Sequence, residues 1–564
     1  MTYGSFSRKL KSLIMVGLAG LLMSPAGCKS PHDYKTDADE KVYSIIDQKW
    51  QEDFGSKVNY KISDTEPSPN DIKIEKSVPP SGVLTLPQAV AMATAHNREY
   101  QTQKEALYIM ALDLRLFRHE FEPMFFSGAR EGYGKEGSAE GVGGEADFGF
   151  YQLLASGTRI GTKVGIAWFK VVTGDIRGGL ASILSATLTQ PLLRGSNRKV
   201  VMENLTQAER NTLYQLRTFG RFRKTFVVSI ISGYYRVLES NAYVKNAEDN
   251  YKVLSDVYER VEKLANAGRV PLFDLDRVYQ EKLQARDILI QKQKEHKQLL
   301  DEFKFWQLSL PTDTKLALDE NALEALRTVE MTKPDFSETE AIDTALSVRL
   351  DLANMADAIS DAERKVLVAA DGLQGELNLF AGVDATSLTG SSELPGVGAL
   401  DDDFVADRFR PTPLRRLRDN NPLRSFRDES EIGIDLELPM DRVAEQNIYR
   451  KALITLSQRH RWYEETADWV TLEVRQAYRD LTEAAERHRV QLENLELARK
   501  RFKNTLLLLQ YNRANSRRVL DAQNDLFDAQ NAATEALVNY TIATLNFYRD
   551  TEVLEVRPDG MWKL

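Results

Sequence analysis

Thr158-Arg159-Ile160-Gly161-Thr162-Lys163-Val164-Gly165-Ile166-Ala167-Trp168 is the stretch on which the reading of this chain turns. Its bulky apolar and threonine side chains fall on even positions, and small or charged residues fall on odd ones. A period of two is the mark of a β-strand with one apolar and one polar face. Leu180 to Gln190 reads as another strand, ending at Pro191-Leu192-Leu193-Arg194-Gly195, and Phe125–Tyr133 and Phe148–Leu154 are further candidates. The Gly-rich run Gly132–Gly144 lacks the strand–turn–helix setting of a dinucleotide site and reads as a mobile loop.

On both sides of these strands the pattern is helical. A helix is expected from Thr85 to about Phe121, with Pro87 in its first turn, where a missing N–H is harmless. Residues 196–310 are almost wholly helical, broken near Ala267-Gly268-Arg269-Val270-Pro271. The first of these segments has about 70 residues, or about 100 Å at ~1.5 Å per residue. Such length without interruption fits a coiled coil.

The second half repeats this order. A helix over Glu338–Asp371 leads into a strand, Glu376–Val383, then a long loop over 386–430 and a strand over Glu431–Pro439. A second helix of about 70 residues, again about 100 Å long, runs from Asp441 to Tyr511. It breaks at Asn512–Asn515 and resumes to about Arg549. Leu481, Ala485, His488, Leu492, Leu495, Ala498, Phe502, Leu506 and Leu509 recur along it every three or four residues, as a coiled-coil seam does. Ala89-Val90 with Ala93 corresponds to Ala341-Ile342 with Ala345 at an offset of 252, and Pro191 to Pro439 at 248. Gly268, Leu275 and Ala285 correspond to Asn512, Val519 and Ala529 at 244. Landmarks in conserved order with slowly drifting offsets indicate an internal duplication.

The 564 residues carry 74 Lys+Arg against 83 Asp+Glu, a net charge of −9 that argues against a dedicated nucleic-acid binder. One cysteine excludes an internal disulfide. No run of 18 uncharged apolar residues occurs, which excludes a spanning helix on length but leaves a β-barrel open. Residues 1–27 read as a signal peptide: Arg8, Lys9 and Lys11 precede the apolar Leu13–Met23, and Pro25-Ala26-Gly27 precede the sole cysteine, Cys28. This resembles a bacterial lipobox, with Pro25 departing from the usual Leu, and implies lipidation of Cys28. Residues 28–80 follow as a linker with an amphipathic helix near Ala38–Asp53, its face formed by Val42, Ile45, Ile46 and Trp50. Repeat 1 spans 81–330 with strands over 123–193, repeat 2 spans 331–554 with strands over 373–440, and 555–564 form a tail.

The chain resembles the TolC-type outer-membrane efflux factor family from about Thr85 to Leu554. The resemblance rests on Leu84-Thr85-Leu86-Pro87-Gln88-Ala89-Val90, Gln190-Pro191-Leu192, Arg349-Leu350-Asp351-Leu352 and Val519-Leu520-Asp521-Ala522-Gln523, in this order. It implies a mostly α protein with a small β portion, internally duplicated. Three protomers would join a twelve-stranded transmembrane β-barrel to an α-helical coiled-coil barrel in the periplasm. About four strands per chain could not close a barrel alone, so several chains must contribute. The implied function is the exit duct of a tripartite efflux or type I secretion system. Its implied partners are outer-membrane lipid, a periplasmic adaptor and an inner-membrane transporter that selects the cargo.

The same resemblance places a periplasmic gate at Asp521 and Asp274, with Arg518 standing where the best-known members carry an acid. An inter-helix polar network of these three is the expected lock, against ordinary solvated charge. Gly268, Arg269, Pro271, Asn512, Arg513 and Asn515 form the turns where the family docks its adaptor. Plain helix–helix turns account for the same residues.

No catalytic constellation, metal site or cofactor motif emerges. The histidines are scattered without an HExxH or Cys/His cluster, and His488 on the seam reads as a packed core residue. Gly157–Lys163 is one residue short of a P-loop. A non-enzymatic conduit is therefore expected. The alternative is a periplasmic coiled-coil lipoprotein without a pore, which would not need strand modules at equivalent places in both halves.

Overall fold

The computed structural model describes residues 29–53, 60–62, 82–136, 139–171, 178–328, 336–389, 428–438, 440–511, 513, 515–556 and 562–563. Cys28, Pro439 and Asn512 lie outside them, and so does most of the loop expected over 386–430.

Helix α1 (Pro31–Asp53) buries Val42, Ile45, Ile46 and Trp50, the face read from the sequence, but begins at Pro31 instead of Ala38. Trp50 lies 6.0 Å from Tyr60 and 6.5 Å from Phe219, so this part of the expected linker is docked on the core. The helix expected from Thr85 to Phe121 is two helices, α2 (Leu86–His96) and α3 (Arg98–His119). Asn97 breaks it: its backbone is extended, and its side chain accepts from Glu99 N and Tyr100 N as an N-cap.

Four antiparallel strands follow: β2 (Met124–Glu136), β3 (Ala139–Leu153), β4 (Arg159–Val171) and β5 (Gly178–Pro191), after the short β1 (Val83–Leu84). After one helical turn, α4 (Arg198–Val201), come the 64-residue α5 (Glu203–Asn266) and α6 (Leu272–Glu302), which ends in a π-turn at Phe303–Gln307. Short β6 (Ala317–Leu318) pairs in parallel with β1, and Tyr234 OH from α5 donates to Leu84 O at 3.0 Å beside that pair. Then come α7 (Asn321–Thr328), α8 (Glu338–Val348) and α9 (Leu350–Asp371). Strands β7 (Glu376–Thr389) and β8 (Asp428–Glu437) precede the 68-residue α10 (Val443–Gln510) and α11 (Ser516–Asp550). A short pair, β9 (Glu555–Val556) and β10 (Trp562–Lys563), closes the chain.

The two halves share local detail. In each, an 11-residue helix is followed by a 22-residue helix. Thr85 N–H donates to Gln88 Oε1 (3.0 Å) before α2, and Ser337 N–H donates to Glu340 Oε2 (2.8 Å) before α8. The breaking residue then reaches the end of the distant hairpin. Asn97 Nδ2 donates to Trp306 O (2.7 Å), and Arg349 Nη1 to Asp550 O (3.4 Å).

One correction concerns the strands. The described sheet has six strands per chain, in the order β2-β3-β4-β5-β7-β8, where about four were expected. Within the expected loop Gly132–Gly144, residues 132–136 and 139–144 are strand. Strands β2 and β3 pair without a gap from Met124↔Tyr151 to Glu136↔Ala139, and the glycines lie within this hairpin. Three copies would thus supply eighteen strands, not twelve.

The long helices pair as hairpins, α5 with α6 and α10 with α11, and α11 also packs on α5. The seam on α10 is buried or half-buried except at Leu492, which is 46% exposed. His488 is buried there and stacks on Tyr540 at 6.3 Å.

Candidate channel wall and helix tips

Because opposed residues in an antiparallel pair share a face, the register sorts the sheet into two surfaces. Phe125↔Phe150, Phe148↔Val164, Val164↔Leu184 and Leu379↔Ile434 place apolar residues on one of them. On it Phe125, Phe148, Val164, Leu184, Val383 and Ile432 are 51–80% exposed. The other surface carries Arg130 opposite Glu145, Asp147, Lys163 and Asp435, with Lys163 Nζ 3.7 Å from Asp147. An apolar sheet face of this extent, turned away from the chain's own core, demands a cover.

Glycine on the polar surface has a steric cause. A Cβ at Gly149 would stand 2.2 Å from Thr162 O and 2.6 Å from the Phe126 ring, and one at Gly433 would stand 2.4 Å from the Phe380 ring. Aromatic rings lying over strand glycines fill the space that a side chain would take. None of the described helices is long and apolar enough to cross a membrane.

Far from the sheet, the helix hairpins end in two tight turns. In the first, Gly268 has φ +70°, Gly268 N donates to Ala265 O and Arg269 N to Leu264 O (both 2.9 Å), and Pro271 opens α6. This is a Schellman closure, in which the left-handed residue favours glycine. In the second, Arg513 N donates to Leu508 O (2.8 Å), and Asn515 caps α11 by accepting from Arg518 N (3.2 Å). Leu272, Phe273 and Tyr511 stand exposed beside these turns. Beneath them Leu254, Val257, Val261, Val278, Leu509, Val519 and Leu520 form one buried cluster that ties both hairpins together.

Within Val519-Leu520-Asp521-Ala522-Gln523, four residues are buried and Asp521 alone points outward. Gln523 Nε2 donates to Asn250 Oδ1 (2.9 Å) across α5 and α11. Asp274 is half-buried, Arg518 is exposed, and neither pairs with the other or with Asp521 among the described residues of one chain. Sequence reasoning passed over Asp525 and Asp528, which share a face of α11 with Asp521 at i, i+4 and i+7. That spacing was the available signal. Arg501 of α10 pairs with Asp525, while burial and then the Asp525 charge push the Asp528 carboxyl above its ordinary value.

Midway between sheet and tips lies a charged junction. Arg349, 2% exposed, donates to Glu473 Oε2 (2.5 Å) and Asp351 Oδ2 (2.6 Å), and Arg221 joins Glu552 (3.0 Å) and Asp351 (3.5 Å). Burial acts to raise the Asp351 carboxyl, but the Arg349 hydrogen bond and the Arg221 charge outweigh it and hold it low. The junction ties α5, α9, α10 and the end of α11 into one body.

No protein-family model matches the sequence, and no curated protein matches it. Solved structures do. The chain is similar to the outer-membrane channel CmeC of Campylobacter jejuni with a TM-score of 0.57 at 11% identity, covering 87% of this chain and 90% of that one. It is similar to the outer-membrane channel OprN (0.56, 15% identity, 87% and 98% covered). A third similar structure is the open state of the MtrE outer-membrane channel of Neisseria gonorrhoeae (0.54, 12% identity, 87% and 96% covered). The fold is therefore that of the TolC-type outer-membrane efflux channels.

Proposed function

We propose that this chain, which has the fold of the TolC-type outer-membrane efflux channels, is the exit duct of a tripartite efflux or type I secretion assembly. The observation that carries the reading is the sheet: one face apolar and exposed, the other charged, with β2 and β8 each paired on one side only among the described residues. In lipid every backbone group needs an internal partner, so such a sheet can span only as part of a closed barrel. The six described strands of the sheet fall short of the eight in the smallest single-chain barrels, so on this reading β8 of one copy closes on β2 of the next. On this reading three copies form the channel, as in the family. Their long helices then line a periplasmic tunnel, and Cys28, outside the described residues, carries the lipid anchor.

The matched helices, N-terminal hydrogen bonds and hairpin contacts of the two halves support an internal duplication. The exposed Leu272, Phe273 and Tyr511 beside Gly268, Arg269, Pro271, Arg513 and Asn515 suit an adaptor that bridges to an inner-membrane transporter. Asp521, Asp274 and Arg518 are proposed to meet their partners across copies, where symmetry turns each into a ring that selects by charge. The reading asks the protein to conduct, not to catalyse.

Planar-bilayer recordings of the purified full chain test this. Discrete, cation-preferring openings are expected, and Asp521→Ala should raise conductance or weaken the preference. A chain that never conducts would sink the reading. Conductance and selectivity unmoved by Asp521→Ala would remove that residue from the gate.

A further inference from the structure

The β2–β3 hairpin carries the same two-faced pattern as the rest of the sheet. It pairs with β4 over thirteen residues, from Gly141↔Val171 to Leu153↔Arg159, so it continues the sheet at full height and does not project from its end. Phe125 and Phe148 extend the exposed apolar face across it, stacked at 6.2 Å, while Arg130, Glu145 and Asp147 extend the charged one. The turn between β3 and β4 is seated on the connection that follows β5. A Cβ at Gly157 (φ +81°) would stand 2.4 Å from Gly195 O and 2.9 Å from Pro191, and Leu154 N donates to Thr158 O (2.8 Å) to close the turn.

The widths of the two layers point the same way. Four helices per chain, α3, α5, α9 and α10, begin or end beside the sheet, and at about 9–10 Å between axes they occupy about 38 Å of a ring. Six strands at ~4.8 Å spacing, tilted ~40° to the barrel axis, also occupy about 38 Å, whereas four would occupy about 25 Å. A six-stranded contribution therefore meets the helical layer without a taper. This match holds for any number of copies.

We infer that the β2–β3 hairpin is a full section of the barrel wall, so that three copies close an eighteen-stranded barrel as wide as the helical tunnel beneath it. The number three rests on the function proposed above; the six strands and the width match do not. Such a barrel measures about 36 Å between opposite backbones, against about 24 Å for twelve strands at the same tilt. Eighteen strands lie in the range that leaves an open aqueous lumen. Gly128, Gly149, Gly161, Gly165 and Gly433 fall on the inward, charged face, where Phe126 and Phe380 lie flat over Gly149 and Gly433. The exit would then admit bulky hydrated cargo that a twelve-stranded barrel excludes.

Electron microscopy of the full chain in lipid nanodiscs, with nitroxide labels read in liposomes, tests the inference. A threefold particle with a barrel of about 36 Å is expected. A label at Ser127→Cys, on the apolar face, should respond to oxygen in lipid, and one at Arg130→Cys to a water-soluble nickel chelate. A threefold particle whose barrel measures about 24 Å, or a Ser127→Cys label that sits in water, overturns the inference and leaves the channel reading standing. A single-copy particle without a barrel overturns both.

Discussion

Arg349 shows what one residue can hold in this fold. Its guanidinium is almost wholly buried and bridges Asp351 and Glu473, while donating to the last carbonyl of α11, that of Asp550. Removing one member of a buried ionic cluster leaves the others charged and unpaired, at a cost of about 3–5 kcal/mol. Arg349→Ala should therefore lower the melting temperature in detergent by many degrees, with Arg349→Lys recovering part of the loss. A variant melting within a degree of the parent would mean that the junction is incidental. Lys104 is the opposite case, a buried ammonium whose pKa burial pushes down to about 8. It donates to Lys61 O (3.2 Å) and lies 5.3 Å from the centre of the Tyr100 ring. Between that value and the ordinary lysine value the unfolded chain binds the extra proton, so stability rises as pH climbs from about 8 towards 10.5. Lys104→Met should stabilise by about 1–2 kcal/mol at pH 7, and the gain should vanish by about pH 10. Denaturation curves at the two pH values check this, and a gain that ignores pH would assign it to packing. Arg349 stood out in the sequence through its motif, which also holds its partner Asp351, but Glu473 and the Asp550 carbonyl lie more than a hundred residues away. Lys104 gave no signal, because helical periodicity does not say what covers a helix.

At the scale of the element, period and punctuation carried most of the reading. The two long helices and their turns at Gly268 and Arg513 stand within a few residues of where the pattern puts them, because uninterrupted apolar spacing has few other solutions. The breaks at Asn97 and Arg349 were not legible, since each is stabilised by a carbonyl on a distant hairpin. Strands β2 and β3 were half legible: their aromatic ends alternate, but glycine erases the pattern in the middle. Those glycines are needed only once neighbouring strands and rings are in place, so composition alone suggested a loop. Gly149→Val is expected to force the Phe126 ring and the Thr162 carbonyl apart. A heat-modifiable oligomer is expected on detergent gels, and Gly149→Val should reduce it at least several-fold, whereas Gly382→Val, where an added Cβ meets its nearest neighbour only at 4.0 Å, should spare it. Equal amounts of oligomer from both variants would show that the close approach at Gly149 is tolerated.

For the whole molecule, the charged, soluble-looking composition conceals a sheet that cannot stand alone. Among the described residues its apolar face is exposed and each edge strand has one open side, which the barrel proposed above would cover with lipid and with a neighbouring copy. The candidate site was legible in the same proportion. Asp521 and Asp274 were named through the family resemblance and the turns through their Gly and Asn, while the pairing of Asp525 with Arg501 needed α11 in place beside α10. By itself the sequence determined the succession of helices and strands, the two-half grammar and the positions of the hairpin turns. These depend on local periodicity and on backbone preferences that each short segment carries with it. Only the tertiary structure decided that six of the described strands join in one sheet, which carbonyls end the paired helices, and which charges are buried together. Those are long-range pairings, and their free energy belongs to residues that the chain brings together only after it has folded.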